Sequence, residues 1–209
     1  MRRPLLINVY GASGVGKSIL ASTLANALKL NGIRAEYCRE WVKEKVLDHR
    51  SSFPKQLEIT QNQLGLLALY LRSGCEVVVT DSPLRIGKVY GNLEANKDWG
   101  PRCQQELEAL DRWLEQEINP DANVLNIFLE HDLEVPFSEF GRRESLETSL
   151  MIEGKMKELL RTERIRFTSA FLRDFLGSGH RTSINILKSL LRDNKGITNE
   201  VKEKIIELR

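Results

Sequence analysis

The sequence has few of the features that mark membrane, secreted or disulfide-stabilised proteins. No apolar run approaches the length of a membrane-spanning helix, and Met-Arg-Arg-Pro leads into an apolar strand pattern without the core of a signal peptide. The only three cysteines, Cys38, Cys75 and Cys103, lack paired spacing. These absences predict a protein of the reducing cytoplasm that does not bind membranes.

The sequence also gives little indication of a zinc site or of a strongly charged surface. Its three histidines, His49, His131 and His180, are scattered, which argues against zinc. The net charge of +2 neither requires nor excludes a nucleic-acid partner. There are no internal repeats, and 209 residues are enough for a single sizeable core. Composition therefore predicts a globular protein and leaves its function open.

One segment carries a specific chemical pattern. Residues 11–18 read GASGVGKS and match the phosphate-binding loop G-x-x-x-x-G-K-[ST], between an apolar run and a strong helical pattern. Its glycines let successive N–H groups converge on phosphate oxygens, and the helix adds its positive dipole end. Lys17 is expected to contact the β- and γ-phosphates and Ser18 to bind Mg²⁺. A complete match disfavours the alternative of a plain turn and predicts a nucleoside-triphosphate site at Gly11, Ala12, Ser13, Gly14, Val15, Gly16, Lys17 and Ser18.

Short β-rich runs alternate with longer helical ones along the chain, as in a parallel α/β sheet. The predicted strands cover residues 5–10, 33–38, 76–81, 123–129 and 165–168. The predicted helices cover residues 19–28, 41–47, 56–72, 101–118, 144–161 and 170–176. The polar segment 88–100 is expected to be a mobile loop.

The third predicted strand ends in an acid, Asp81. In a phosphate-loop fold, a strand next to the first one often ends in a carboxylate that holds Mg²⁺ directly or through water. Asp81 is therefore expected to share the metal with Ser18. The alternative is that Asp81 caps a helix before Ser82-Pro83.

Three charged residues lie in and just after the second predicted strand, at the edge where working residues of open α/β sheets gather. Glu36 falls inside the strand, whereas Glu40 lies just past its end and can face the cleft. Glu40 is the better candidate for the base that accepts a hydroxyl proton, or it is a first-turn acid that suits a helix dipole. Glu36 is a candidate for contact with the substrate, and Arg39 binds an acceptor phosphate or pairs with a neighbouring acid.

Residues 137–143 are predicted to form a lid. Arg142 and Arg143 precede a helix, where cations are unfavourable unless an anion lies nearby. Arg142 is expected to stabilise the charge on the transferring phosphoryl group, and solvated surface arginines are the alternative. Gln61 and Arg85 are further candidates for contact with the substrate, Gln61 through a base edge, although exposed helical glutamines are common.

These motifs together resemble a known family, the bacteriophage-type P-loop kinase-like proteins related to the nicotinamide-riboside kinase domain and to nucleoside and nucleotide kinases. The resemblance covers roughly residues 4–175 and rests on GASGVGKS, Glu36-Tyr37 with Glu40, Thr80-Asp81-Ser82-Pro83-Leu84 and Gly141-Arg142. It implies a three-layer fold with a five-stranded parallel sheet in the order 2-3-1-4-5. It also implies that ATP and Mg²⁺ support phosphoryl transfer to a hydroxyl or phosphate of a nucleoside- or nucleotide-type acceptor. In that reaction Lys17 and Ser18 would bind the triphosphate, and Asp81 would bind the metal or the acceptor. Glu40 would act on the acceptor hydroxyl, and Arg142 would belong to the lid.

The carboxy-terminal segment leaves the partner open. We expect a kinase domain at 1–179 and a helical-hairpin appendage at 180–209, with seven Lys/Arg against four Asp/Glu in 181–209. This hairpin packs on the body or on a second subunit, as in a homodimer, or it holds DNA phosphates. The last case would make the protein a kinase of a hydroxyl in DNA, although an evident aromatic and basic groove is lacking. A nucleotide-driven ATPase or switch is a further alternative, but it needs a water-positioning residue, and none is evident.

Overall fold

A computed structural model describes residues 3–43, 45, 55–93, 105–106, 108–109, 112–113, 116, 123–135, 137, 144–177 and 180–208. Five parallel strands form one sheet in the order β2-β3-β1-β4-β5, which confirms the predicted topology. The strands are β1 (Leu5–Tyr10), β2 (Ala35–Cys38), β3 (Val77–Thr80), β4 (Val124–Leu129) and β5 (Thr168–Ala170). The helices with described bounds are α1 (Lys17–Leu30), α2 (Gln56–Arg72), α3 (Ile86–Gly91), α4 (Leu146–Thr162), α5 (Leu172–Leu176), α6 (His180–Asp193) and α7 (Glu200–Ile206).

The central strand β1 fixes the position of the phosphate-binding loop. β1 is buried along its whole length and pairs with β3 on one side and β4 on the other, so that Ile7 lies opposite both Val79 and Leu125. Because all the strands run parallel, their carboxyl ends lie along one edge of the sheet. The segments that follow β1, β2, β3 and β4 therefore meet at this edge.

Helices cover both faces of the sheet, which gives three layers. Alternate β1 side chains point to opposite faces: Leu5 and Ile7 join the core under α1, whereas Leu6 packs with α2 and Tyr10 with α4. Strand geometry requires this alternation, and burial on both faces explains the continuous apolar run of β1.

The carboxy-terminal helices α6 and α7 complete the face that α1 covers. Leu187, Leu191 and Ile205 are fully buried in the same core cluster as Leu20 and Leu24 of α1. Since these side chains cover apolar surface of α1, the first 179 residues alone would expose part of their core. The division of the chain into two domains stays a prediction, but the packing joins the two segments through one core.

Two predicted elements differ from the structure. Residues 88–91 belong to α3 and not to a loop, because Val89 and Tyr90 pack beside Phe128 and this tertiary contact outweighs the weak helical pattern. The fifth strand is Thr168–Ala170 and not 165–168, because pairing with Ile127–Leu129 sets its position. The predicted helices 41–47 and 101–118 lie largely outside the described residues. None of the described helices has the length and apolar character needed to span a membrane.

Candidate active site

The backbone of residues 11–18 adopts conformations that require glycine. Gly11, Gly14 and Gly16 have φ values of 137°, 98° and 89°, in the region that disfavours side chains. A Cβ on Gly11 would lie 2.5 Å from the Leu129 carbonyl oxygen, and one on Gly16 would lie 2.4 Å from a side-chain carbon of Leu172. The loop is thus packed between the end of β4 and the start of α5.

The helix that follows the loop begins with its amide groups uncapped. No described side chain caps α1 at Gly16, and its first turn contains no acidic residue. The first N–H groups of such a helix lack partners within the helix and favour an anion. Lys17 Nζ donates to the Ala12 carbonyl at 2.7 Å, so the lysine folds back along the loop. The Lys17 ammonium group and the uncapped start of α1 therefore lie at the same loop.

Asp81 lies directly after β3 and is buried. Its Oδ2 accepts a hydrogen bond of 2.7 Å from the hydroxyl of Tyr37, and the Ser18 side chain lies near that hydroxyl. Burial and the negative charge of Asp81 raise the pKa of Tyr37, so that this hydroxyl stays protonated as a donor. The other oxygen, Oδ1, is buried and has no hydrogen-bond partner among the described residues. A buried carboxylate oxygen without a partner is costly, and a bound cation would remove that cost.

Glu40 lies within the electrostatic reach of the loop lysine and of two other acids. Burial raises the pKa of its carboxyl; Lys17 opposes this, and Asp81 and Glu144 add to it, with a net rise. Glu40 follows β2, Lys17 follows β1, Asp81 follows β3 and Glu144 precedes α4. Side chains from four separate segments therefore converge here. Burial, with Glu144 and Glu40, also raises the pKa of Tyr90 on α3. Glu144 and Tyr90 are site residues that the sequence did not identify, because only the fold brings them to Glu40.

A buried glutamine holds the segment that carries Glu40. Gln63 of α2 accepts from the backbone N–H of Trp41 at 2.7 Å and donates to the carbonyl of Arg39 at 3.2 Å. These bonds fix the chain on both sides of Glu40. The sequence placed Gln63 in a helix but gave no signal for this role, because its partners are backbone groups.

Two of the sequence-predicted substrate residues, Glu36 and Gln61, make contacts elsewhere. Glu36 accepts from Lys29 at 2.8 Å, near the start of β2 and away from the carboxyl edge. Gln61 Nε2 donates to Glu106 at 2.8 Å on the surface. Each of these contacts gives the side chain a structural explanation, and their substrate roles stay predictions.

Arg85 also has a structural partner. Its Nε pairs with Glu163 at 2.9 Å, and Lys88 pairs with the same carboxylate at 2.7 Å. Glu163 follows the last residue of α4, so it lies about 20 Å along the helix from the first turn. The side chain of Arg39 is exposed, and its role stays a prediction. Arg142 lies outside the described residues, so the structure does not place it.

Comparisons with known structures show the same fold. NadR protein in complex with NR gives a TM-score of 0.59 at 16% identity over 94% of this chain and 53% of that chain. NadR protein in complex with NAD and AMP-PNP gives 0.57 at 16% identity, with 94% and 51% covered. Thymidylate kinase from Candida albicans gives 0.50 at 18% identity, with 93% of both chains covered. The chain spans about half the length of the NadR chains that it matches.

Sequence comparison shows the family. A search of curated proteins found no match. The model of the AAA domain family matches residues 6–171, from the second residue of β1 to just past β5. That match includes the phosphate-binding loop, Glu40 and Asp81. Because it covers most of the sequence, the chain belongs to the AAA domain family.

Proposed function

We propose that this protein is a kinase that transfers the γ-phosphate of ATP to a hydroxyl or phosphate of a nucleoside- or nucleotide-type acceptor. The observation that carries the proposal is the convergence of Lys17, Glu40 and Asp81 at the uncapped start of α1. A binding loop alone serves any nucleotide-binding protein. A partly buried carboxylate with a raised pKa beside the loop suits phosphoryl transfer to a hydroxyl.

The phosphates would bind where the loop and α1 present their N–H groups. Lys17 would leave the Ala12 carbonyl and turn to the β- and γ-phosphates, since a charged acceptor competes well with a neutral carbonyl. The NadR structure with AMP-PNP supports this part of the proposal, because that protein shares the fold.

The donor set beside the loop suits Mg²⁺. Asp81 Oδ1 is buried and has no hydrogen-bond partner among the described residues. Ser18 and Asp81 both lie near the hydroxyl of Tyr37, so they are close to each other. Among the described residues no group of three or more His, Cys, Asp or Glu forms a metal cage. Mg²⁺ commonly uses one or two protein oxygens together with substrate phosphates, which is the number available here. When bound, the ion would neutralise charge on the β- and γ-phosphates.

Glu40 would act as the general base for a hydroxyl acceptor. As the acceptor oxygen bonds to the γ-phosphorus, the bond from that phosphorus to the bridging oxygen breaks and ADP leaves. The hydroxyl proton passes to Glu40, whose raised pKa brings it closer to neutral pH than an ordinary carboxyl. We also propose that Arg142 contacts the transferring phosphoryl group and stabilises its negative charge.

The structure reduces the support for DNA as the acceptor. The segment 181–209 has seven basic residues, and three of those that the structure describes make contacts within the chain. Lys188 donates to the Leu208 carbonyl, Lys202 to the carbonyls of Asn194 and Ile197, and Lys204 to Glu76. Since Lys188 and Lys202 are buried, they are not available to phosphates of a duplex.

The test is transfer of the labelled γ-phosphate of ATP to panels of nucleosides, nucleotides and oligonucleotides. We expect label in a small-molecule acceptor, and we expect the Lys17→Met variant to remain folded but to lose the transfer. Labelling of oligonucleotides alone would support the DNA kinase. Unaltered turnover in Lys17→Met would refute the assignment of the site.

A further inference from the structure

Two side chains outside the loop hold one of its carbonyl groups. Ser149, the fourth residue of α4, is fully buried and donates from Oγ to the Ser13 carbonyl oxygen at 2.5 Å. Nε2 of His131, which lies two residues after β4, is 3.2 Å from the same oxygen and 3.1 Å from Ser149 Oγ. Nε2 donates to this oxygen when the ring carries protons on both nitrogens, because Nδ1–H faces Glu153.

The imidazole is itself held in a fixed orientation. Its Nδ1 lies 2.6 Å from Glu153, which also accepts the backbone N–H of His131 at 3.0 Å. Lys157 binds Glu153 at 2.9 Å and Glu130 at 3.0 Å, which ties α4 to the end of β4. Burial raises the pKa of Glu153, but the hydrogen bonds from His131 and Lys157 outweigh it, so the net pKa is lowered. Glu153 is therefore an ionised acceptor that orients the ring.

The position of the Ser13 carbonyl determines where the next N–H points. In a planar trans peptide the C=O of Ser13 and the N–H of Gly14 point in opposite directions. When the carbonyl points to α4, the Gly14 N–H points to the opposite side of that peptide. Gly14 has a φ of 98° and no side chain, so this peptide rotates more easily than one between larger residues. The loop thus needs contacts from outside to keep one orientation.

We propose that Ser149 and His131 are positioning residues that hold the Ser13–Gly14 peptide with its N–H directed to a nucleotide phosphate. This inference rests on the proposed nucleotide site. Ser149 supplies the short hydrogen bond, and His131 keeps the hydroxyl and carbonyl together. Neither side chain needs to touch the nucleotide, because both act through the backbone of Ser13. The loop is therefore ordered before the phosphate binds, so that nucleotide binding does not include the free-energy cost of ordering it.

The experiment measures binding of ATP and of ADP to the full chain by calorimetry, followed by steady-state kinetics with the best acceptor of the panel. In Ser149→Ala we expect ATP and ADP to bind about 3- to 10-fold more weakly, the scale of one net hydrogen bond. KM for ATP should rise by a similar factor. At saturating ATP, kcat should stay within about twofold, because the lost contact serves substrate and transition state alike.

Ser183→Ala is the matched control. Ser183 is also a buried serine, and its hydroxyl donates to the backbone carbonyl of Phe175 at 2.7 Å, in the contact between α5 and α6. It should lose stability as Ser149→Ala does but keep its nucleotide affinity. His131→Gln is a second variant, which loses the Glu153 contact and should also weaken ATP and ADP binding.

Three outcomes would overturn the inference. The first is that Ser149→Ala and His131→Gln both bind nucleotides as tightly as the parent. The second is that Ser183→Ala weakens nucleotide binding as much as these two variants do. A parent chain that binds neither ATP nor ADP would instead refute the proposed function, and this inference with it. A parent that binds ATP but transfers no phosphate leaves the inference standing on binding data alone and refutes only the kinase activity.

Discussion

The Tyr37 hydroxyl donates a hydrogen bond of 2.7 Å to Oδ2 of Asp81, and this bond joins the end of β2 to the end of β3. Tyr37 also lies near Ser18 and within reach of the Glu40 charge. One phenol therefore links the residue proposed for the metal, the loop serine and the proposed base. The other oxygen of Asp81, Oδ1, has no hydrogen-bond partner among the described residues.

The Tyr37→Phe variant should lower the free energy of unfolding by about 1–2 kcal/mol, because it removes a hydrogen bond from a half-buried hydroxyl to a charged group. The change should be smaller in an Asp81→Asn background, where the acceptor is neutral. Urea denaturation of the two single variants and the double variant measures this coupling. Equal losses in both backgrounds would mean that the hydroxyl acts elsewhere.

Asp81→Asn should raise the Mg²⁺ concentration needed for half-maximal activity by about tenfold or more, because an amide lacks the charge that this hard cation prefers. Binding of ATP without the metal should change little. The measurement is a Mg²⁺ titration of activity at fixed ATP. Identical titrations in variant and parent would make Asp81 a structural residue that serves only as the acceptor for Tyr37.

Glu40→Gln should lower turnover by about 100-fold or more with little effect on ATP affinity, since the amide keeps the shape but accepts no proton. In the parent, activity should fall as pH falls through the raised pKa of Glu40, at a higher pH than for an ordinary carboxyl. Glu36→Gln is the control, because Glu36 pairs with Lys29 on the surface and should affect turnover little. Equal effects of the two substitutions would make Glu36 a catalytic residue.

The same substitution should stabilise the fold at neutral pH. A carboxyl whose pKa is raised by folding destabilises the folded state as pH rises through that pKa, and the amide has no charge to bury. Glu40→Gln should therefore unfold at a higher temperature than the parent at pH 7, and the difference should disappear at low pH. Thermal denaturation at both pH values measures the effect, and a destabilised variant at pH 7 would contradict it.

The sequence predicted the sheet well because its signals are local. The continuous apolar run of β1, the glycines of the loop and the run of valines before Asp81 each carry their own pattern. The helix Gln56–Arg72 also agrees with its predicted bounds. Glu40 and Asp81 could be predicted to lie at the same edge because the carboxyl ends of parallel strands meet there, and their roles stay predictions.

The remaining site residues could not be predicted, because their partners are distant in the chain. Glu144 gains its place near Glu40 only through the position of α4, and Gln63 binds backbone groups that carry no sequence signal. His131 was one of three scattered histidines until the fold placed it beside Ser13. Apolar patterns placed α6 and α7 as helices but did not reveal that Leu187 lies in the main core.

Leu187→Ala should lower the free energy of unfolding by about 2–5 kcal/mol, because this fully buried side chain fills the core shared with α1. Leu69→Ala, at a side chain that is 65% exposed, is the control and should change stability little. Chemical denaturation of both variants tests whether α6 belongs to the core. Equal, small losses would support an independent appendage.

The most direct test of the kinase proposal is where the labelled γ-phosphate goes. In a reaction of the parent chain with ATP, Mg²⁺ and the best acceptor of the panel, we expect label in the acceptor in equal amount to the ADP formed. In Glu40→Gln both products should fall together. Label found only in inorganic phosphate, at a rate that does not depend on the acceptor, would contradict the account and identify a nucleotide-driven ATPase.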